Sequence, residues 1–220
     1  MATIENQDEH SACLNGFRSL IELYLNLFHL HWRIAAGTAL GFILFTGLNQ
    51  LLFQAFEHTR GIDWIYLPAG VRLLCTLLFG LTGTLGLFLG SLITSFFYYF
   101  PDDPARALAG SLVSALAPYL AYELAQNTMR LRPSLSNLTA HKLLVCALLY
   151  AACNALMHLL WFLIAQDMGP HPAHSTLIMF TGDLLGSLLV VYLFKHLLSI
   201  ARHYRRLRRR GHSSPSRRQD

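Results

Sequence analysis

The sequence predicts an all-α fold, a polytopic transmembrane helical bundle of about six spans with an N-terminal interfacial helix. Three observations predict it. The 220 residues are 54% hydrophobic and only 13% charged, against roughly 25% charged in an average soluble domain. The charges are segregated, falling in the first residues, a few short loops and the last twenty positions. Between them lie apolar runs close to the ~20 residues that cross a bilayer as a helix.

Residues 1–16 are polar and predict a loosely held N-terminal segment. Over 17–34, Phe17, Leu20, Ile21, Tyr24, Leu27 and Phe28 recur at helical spacing, interrupted by Arg18, Glu22, Asn26 and His29. That amphipathic pattern suits a helix lying in the interface, with Trp32 and Arg33 at its end. The membrane domain covers 35–200, with a first span at 35–56. A polar loop, 57–63, precedes a short second span that starts near Ile65 and ends by 81–83. Pro68 sits in its first turn, where a missing N–H costs little. The third span is 84–100, with Gly86 and Gly90 admitting a close neighbour, and Pro101-Asp102-Asp103-Pro104 ends it. The fourth is 105–125 with a kink expected at Pro118, the fifth 141–165 and the sixth 176–198. If the short second segment were re-entrant, every later segment would change direction. Six crossings keep the N-terminus and the C-terminal tail on one side.

Net charge is +5, and the tail, 201–220, more than accounts for it. Arg205, Arg206, Arg208, Arg209 and Arg210 beside a span predict a cytoplasmic anchor rather than a nucleic-acid site, and contact with anionic lipid extends that reading. With Arg130, Arg132 and Lys142 they place both termini inside. Four cysteines without a C-x-x-C pair predict reduced apolar fillers. No nucleophile–base set, phosphate loop or H-E-x-x-H motif occurs, and the eleven histidines lack the facing deep pair that haem would need. The expectation is a non-enzymatic protein without metal or cofactor.

Four polar groups fall within the apolar spans at similar depth. Arg72, four residues past Pro68, lies roughly 6–10 Å below the outer boundary at 1.5 Å per residue. Asp183, His158 and Asn49 fall in the same layer. A charge near mid-membrane costs on the order of 2.5–3.5 kcal/mol, so it pairs or faces a cavity. Two readings follow: an Arg72–Asp183 ion pair with His158 and Asn49 as hydrogen-bond partners, or a pocket in which Arg72 receives an anionic or carbonyl-bearing ligand.

Three segments resemble one family. Trp64-Ile65-Tyr66-Leu67-Pro68-Ala69-Gly70-Val71 leading to Leu77-Leu78-Phe79-Gly80 is similar to the W-x-P-x-G-[IV]…LL-x-G stretch of the MASE membrane-associated sensor domains. Phe88-Leu89-Gly90-Ser91-Leu92 and Gly182-Asp183-Leu184-Leu185-Gly186-Ser187-Leu188-Leu189 resemble two later motifs of that family, in the same order. The resemblance implies an integral membrane sensory module of the bacterial inner membrane, usually N-terminal to a kinase or cyclic-di-GMP enzyme domain. Two departures accompany it: more spans are usual in the family, and Arg72 stands where its members are mostly apolar. Asp183 falls on a motif position. The expectation is a stand-alone sensor that relays a signal to a separate protein at the cytoplasmic face. The alternative is a small transporter or permease subunit using the Arg72/Asp183/His158 layer.

Overall fold

The computed structural model describes residues 2–59, 61–132, 135, 137–165 and 172–212, with side chains described from Glu22 onward and excepting Leu198 and 205–212. Among these, five helices are long and apolar enough to cross a membrane. In chain order they are α1 (Ala2–Phe53), α2 (Pro68–Thr94), α3 (Pro104–Met129), α4 (Ala140–Ile164) and α5 (Pro172–His212). A small hairpin, β1 (Glu57–Thr59) with β2 (Ile62–Asp63), joins α1 to α2.

α2 accounts for the difference between five helices and six spans. Gly80 adopts φ 52° and ψ −130°, a region open to glycine and closed to most other residues. The chain reverses there. Val71 and Leu87 share one buried cluster with Phe42, and Gly83 lies against the carbonyl of Cys75. In a straight helix Val71 and Leu87 would be about 24 Å apart. α2 is therefore two antiparallel arms, 68–79 and 81–94, the second continuing through a π-turn, Ser95–Tyr99. The expected helical bundle of about six apolar segments is the observed architecture, with the second and third joined at Gly80.

The first arm is only about 18 Å long, short of the ~30 Å apolar thickness of a bilayer. The segment after α3 fills the space beyond it. Arg130 takes a left-handed conformation that ends α3, and Asn137 ties the turn by donating to the Arg130 carbonyl (2.9 Å) and accepting from Arg132 N (3.0 Å). Leu131, Leu135 and Leu138 then pack with Leu77, Ala125 and Cys146 in the largest buried cluster.

Residues 2–53 run as the single helix α1, followed by a 3-10 turn at Gln54–Phe56, because nothing between Phe17 and Phe53 breaks the helical pattern, whatever the polarity of the face; no break marks the expected boundaries after 16 and 34. α3 likewise runs through Pro118. That proline cannot donate to the Ser114 carbonyl, yet neighbouring helices bury it. The side chains of Arg205, Arg206, Arg208, Arg209 and Arg210 lie outside the described residues.

Glycines set the closest approaches. A Cβ on Gly182 would meet the Asp63 carbonyl, and one on Gly186 would meet the Tyr66 carbonyl. The two glycines, one turn apart, form a notch in α5 that seats the chain from Asp63 to Leu67, where Tyr66 N donates to the Gly182 carbonyl at 3.1 Å. Gly186→Ala is expected to lower stability by roughly 1–3 kcal/mol through overpacking. Gly47→Ala, where a Cβ meets nothing, is expected to leave it unchanged or raise it. Thermal unfolding of the detergent-solubilised variants measures both.

Candidate functional site

Beneath the β-hairpin the two arms of α2 enclose a polar layer with α1, α3, α4 and α5. Arg72, one turn into α2, is 5% exposed. Its guanidinium carbon lies 4.9 Å from the Phe42 ring centroid and 5.2 Å from that of Tyr66. Desolvated cation–π contacts of this kind contribute up to ~2 kcal/mol or more. One Nη donates to the Tyr66 hydroxyl at 3.3 Å, while Nε has no hydrogen-bond partner. Tyr150 and Asp183 lie near enough to act on its charge, and the Tyr150 hydroxyl approaches the guanidinium outside standard hydrogen-bond geometry.

Arg72 and Asp183 act on each other electrostatically, while their hydrogen bonds go to other partners. The Asp183 carboxylate accepts from Asn154 Nδ2 at 2.6 Å, and the two aromatic rings hold the guanidinium. His158 Nδ1 lies 3.0 Å from the Asn154 carbonyl. A carbonyl only accepts, so Nδ1 carries a hydrogen and the neutral ring keeps Nε2 as an acceptor. Asn49 is one step removed: its Nδ2 donates to Asp63 Oδ2 (3.1 Å), and its Oδ1 accepts from Leu67 N (2.8 Å) at the entry to α2.

Two small cavities open on this layer. One, of about 70 Å³, is bordered by Tyr66, Arg72, Ser91, Thr94, Tyr99, Ser114 and His158 among others. A second, of about 40 Å³, is bordered by Arg72, Asp63, Asn154, His158 and Asp183. They share Tyr66, Arg72, Ser114 and His158. Each has room for more than one water or for a small polar group. The structure thus brings Arg72, Asp183 and His158 around common space and places Asn49 behind it.

The MASE1 family profile matches residues 34–217. The chain belongs to the MASE1 family. No curated protein and no solved structure matches it. MASE1 is a membrane-associated sensor domain of signalling proteins, as the three motifs implied. All three motifs reach the site: the stretch from Trp64 to Gly70 enters α2 above Arg72, the Phe88–Leu92 motif supplies Ser91 to the cavity wall, and the Gly182-Asp183…Gly186 motif supplies both the notch and the carboxylate.

Several site residues of this MASE1 domain escaped sequence reasoning. Asp63 was expected in a solvated loop but is buried at 3% exposure, because the notch in α5 pulls the hairpin down onto the bundle. Asn154 stands one helical turn before His158, a spacing that could have marked it. Ser91, Thr94 and Ser95 form a small-polar face of the second arm at helical spacing, which reads as packing until the reversal sets it opposite Arg72. At the other end of the hairpin, His174 meets His58 and Trp64 at ring distances of 5.4 and 6.3 Å.

Burial raises the Asp63 carboxyl from the ordinary 3.8 to about 7, with Glu57 adding to the rise and the Asn49 hydrogen bond opposing it. The folded state then holds a proton that the unfolded chain has lost. Stability from this group is full below about pH 4 and falls as pH rises toward 7. Asp63→Asn is expected to flatten the decline in melting temperature between pH 5 and pH 8. An unchanged slope would place the titration elsewhere.

Proposed function

We propose that this MASE1 domain is a non-enzymatic signal-input module that binds a small molecule bearing an anionic or carbonyl oxygen at Arg72 and relays occupancy to a separate protein. The observation that carries this reading is the buried guanidinium, held by aromatic faces, with Nε unpartnered and no carboxylate in contact, on the wall of a cavity. A charge so placed is costly in an apolar layer, and an incoming oxygen would satisfy it. His158 borders both cavities and Asp183 the smaller one, so acceptors lie near Arg72 for a ligand that also carries a donor.

Below the cavity Tyr150, Leu73, Leu77, Ala121 and Ala147 pack into the main apolar cluster. A site closed on that side favours reception over passage, and hence the sensor over the alternative of a small transporter or permease subunit. α5 carries Asp183 and continues to the arginine-rich end, giving one rigid element that spans cavity and tail. By the positive-inside rule the tail and both termini are assigned to the cytoplasm of an inner membrane, where the partner would meet them.

The full chain in detergent, melted against a panel of small carboxylates, phosphates and amides, tests the reading. A ligand at ~100-fold its Kd adds about 2.7 kcal/mol, a shift of several degrees. The expected result is a shift for wild type that Arg72→Gln abolishes. No shift with any compound, together with a lower melting temperature for Arg72→Gln, would make the arginine structural. Uptake of the active compound into proteoliposomes would favour transport.

A further inference from the structure

We propose that the end of the bundle opposite the β-hairpin holds an anionic phospholipid in a groove between α2 and α5. The groove has a volume of about 700 Å³, within the ~300–1,000 Å³ range of ligand pockets. Leu74, Leu77 and Leu78 of the first arm form one wall, and Leu135 and Leu138 form the floor. The groove exists because the first arm stops at Gly80 while α5 runs on past it. Past the first arm, α5 is exposed from Ser199 to Tyr204.

Its other wall changes character along α5. Val191, Lys195, Ser199 and Arg202 all border the groove, and steps of four, four and three residues put them on one helix face. The face is apolar beside the leucines and basic farther out, with His203 alongside. No aspartate or glutamate among the described residues borders it. Lys195 and Arg202 stand about 10 Å apart along the axis, so two long side chains reach one phosphate between them, with the Ser199 hydroxyl beside it. An acyl chain lies against the leucines as the headgroup meets these cations. Lys and Arg commonly stretch their stems along apolar surface in this way. An anionic phospholipid matches both halves of the groove. A free phosphate leaves the apolar half empty, and a zwitterionic lipid brings an unmatched cation to Lys195.

The site is separate from the Arg72 cavity and does not depend on it. Spin-labelled phosphatidylglycerol and phosphatidylcholine, each added to the full chain in phosphatidylcholine bilayers, test the proposal through the motionally restricted lipid fraction. Two cations near a membrane surface favour the anionic lipid by roughly tenfold or more. That preference is expected for wild type and for a variant with Arg205, Arg206, Arg208, Arg209 and Arg210 all changed to Gln. It is expected to vanish in Lys195→Gln/Arg202→Gln, whose substitutions are on the exposed face, and to weaken in Val191→Trp, which fills the groove. Equal restriction of the two lipids by wild type would overturn the proposal. So would a preference that survives Lys195→Gln/Arg202→Gln and disappears with the tail variant.

Discussion

Everything at the β-hairpin end depends on the chain turning back on itself at Gly80. A straight α2 would leave Arg72 about 28 Å from Ser91. The reversal instead faces the apolar first arm, with its single arginine, toward Ser91, Thr94 and Ser95 on the second arm. Gly80 reaches its positive φ without the steric penalty a side chain carries. A Cβ there would meet no neighbour, so conformation and not space selects glycine. The same turn shortens the first arm, which draws Leu131, Leu135 and Leu138 into the bundle and leaves α5 exposed from Ser199 to Tyr204.

The electrostatics of the layer follow from which groups hold which charges. Two buried aspartates each accept from an asparagine, Asp63 from Asn49 and Asp183 from Asn154. Neither hydrogen-bonds to the arginine. Aromatic faces hold the guanidinium with little directional demand, so its N–H groups are only partly used. A buried carboxylate satisfied by an amide is costlier to ionise than one satisfied by a cation, but the arrangement leaves the cation available. Asn49 links this layer to the backbone, since the amide that orients Asp63 also receives the first N–H of the α2 entry. Hydrogen bonds thus run from the layer to the seat of the hairpin on α5.

Much of the fold was legible because membrane helices announce themselves by length and hydropathy. The apolar runs, the break at Pro101–Pro104 and a short second segment ending by 81–83 could all be read directly. The depth estimate brought Arg72, Asp183 and His158 together because helical rise is regular. What failed was partner choice. Sequence placed Arg72 and Asp183 at one depth and opposite charges at one depth suggest a pair, but rotation about each helix axis decides contact, and rotation was not legible. Asp63 was missed for a related reason. A loop aspartate looks solvated until two glycines on a distant helix are known to receive its backbone. The GD-x-x-G motif showed small residues, and only the packing revealed what they make room for.

The fold-back of α2, on which the cavity around Arg72 rests, is open to a direct measurement. With the native cysteines replaced, Val71→Cys and Leu87→Cys are introduced together and the full chain is oxidised in membranes. Antiparallel arms predict an intrachain disulfide that forms readily at any protein dilution, and that is absent when Val71→Cys is combined instead with Leu81→Cys. Failure of the 71–87 pair to cross-link in a folded, membrane-inserted chain would mean that α2 is one straight helix, and the cavity would not exist.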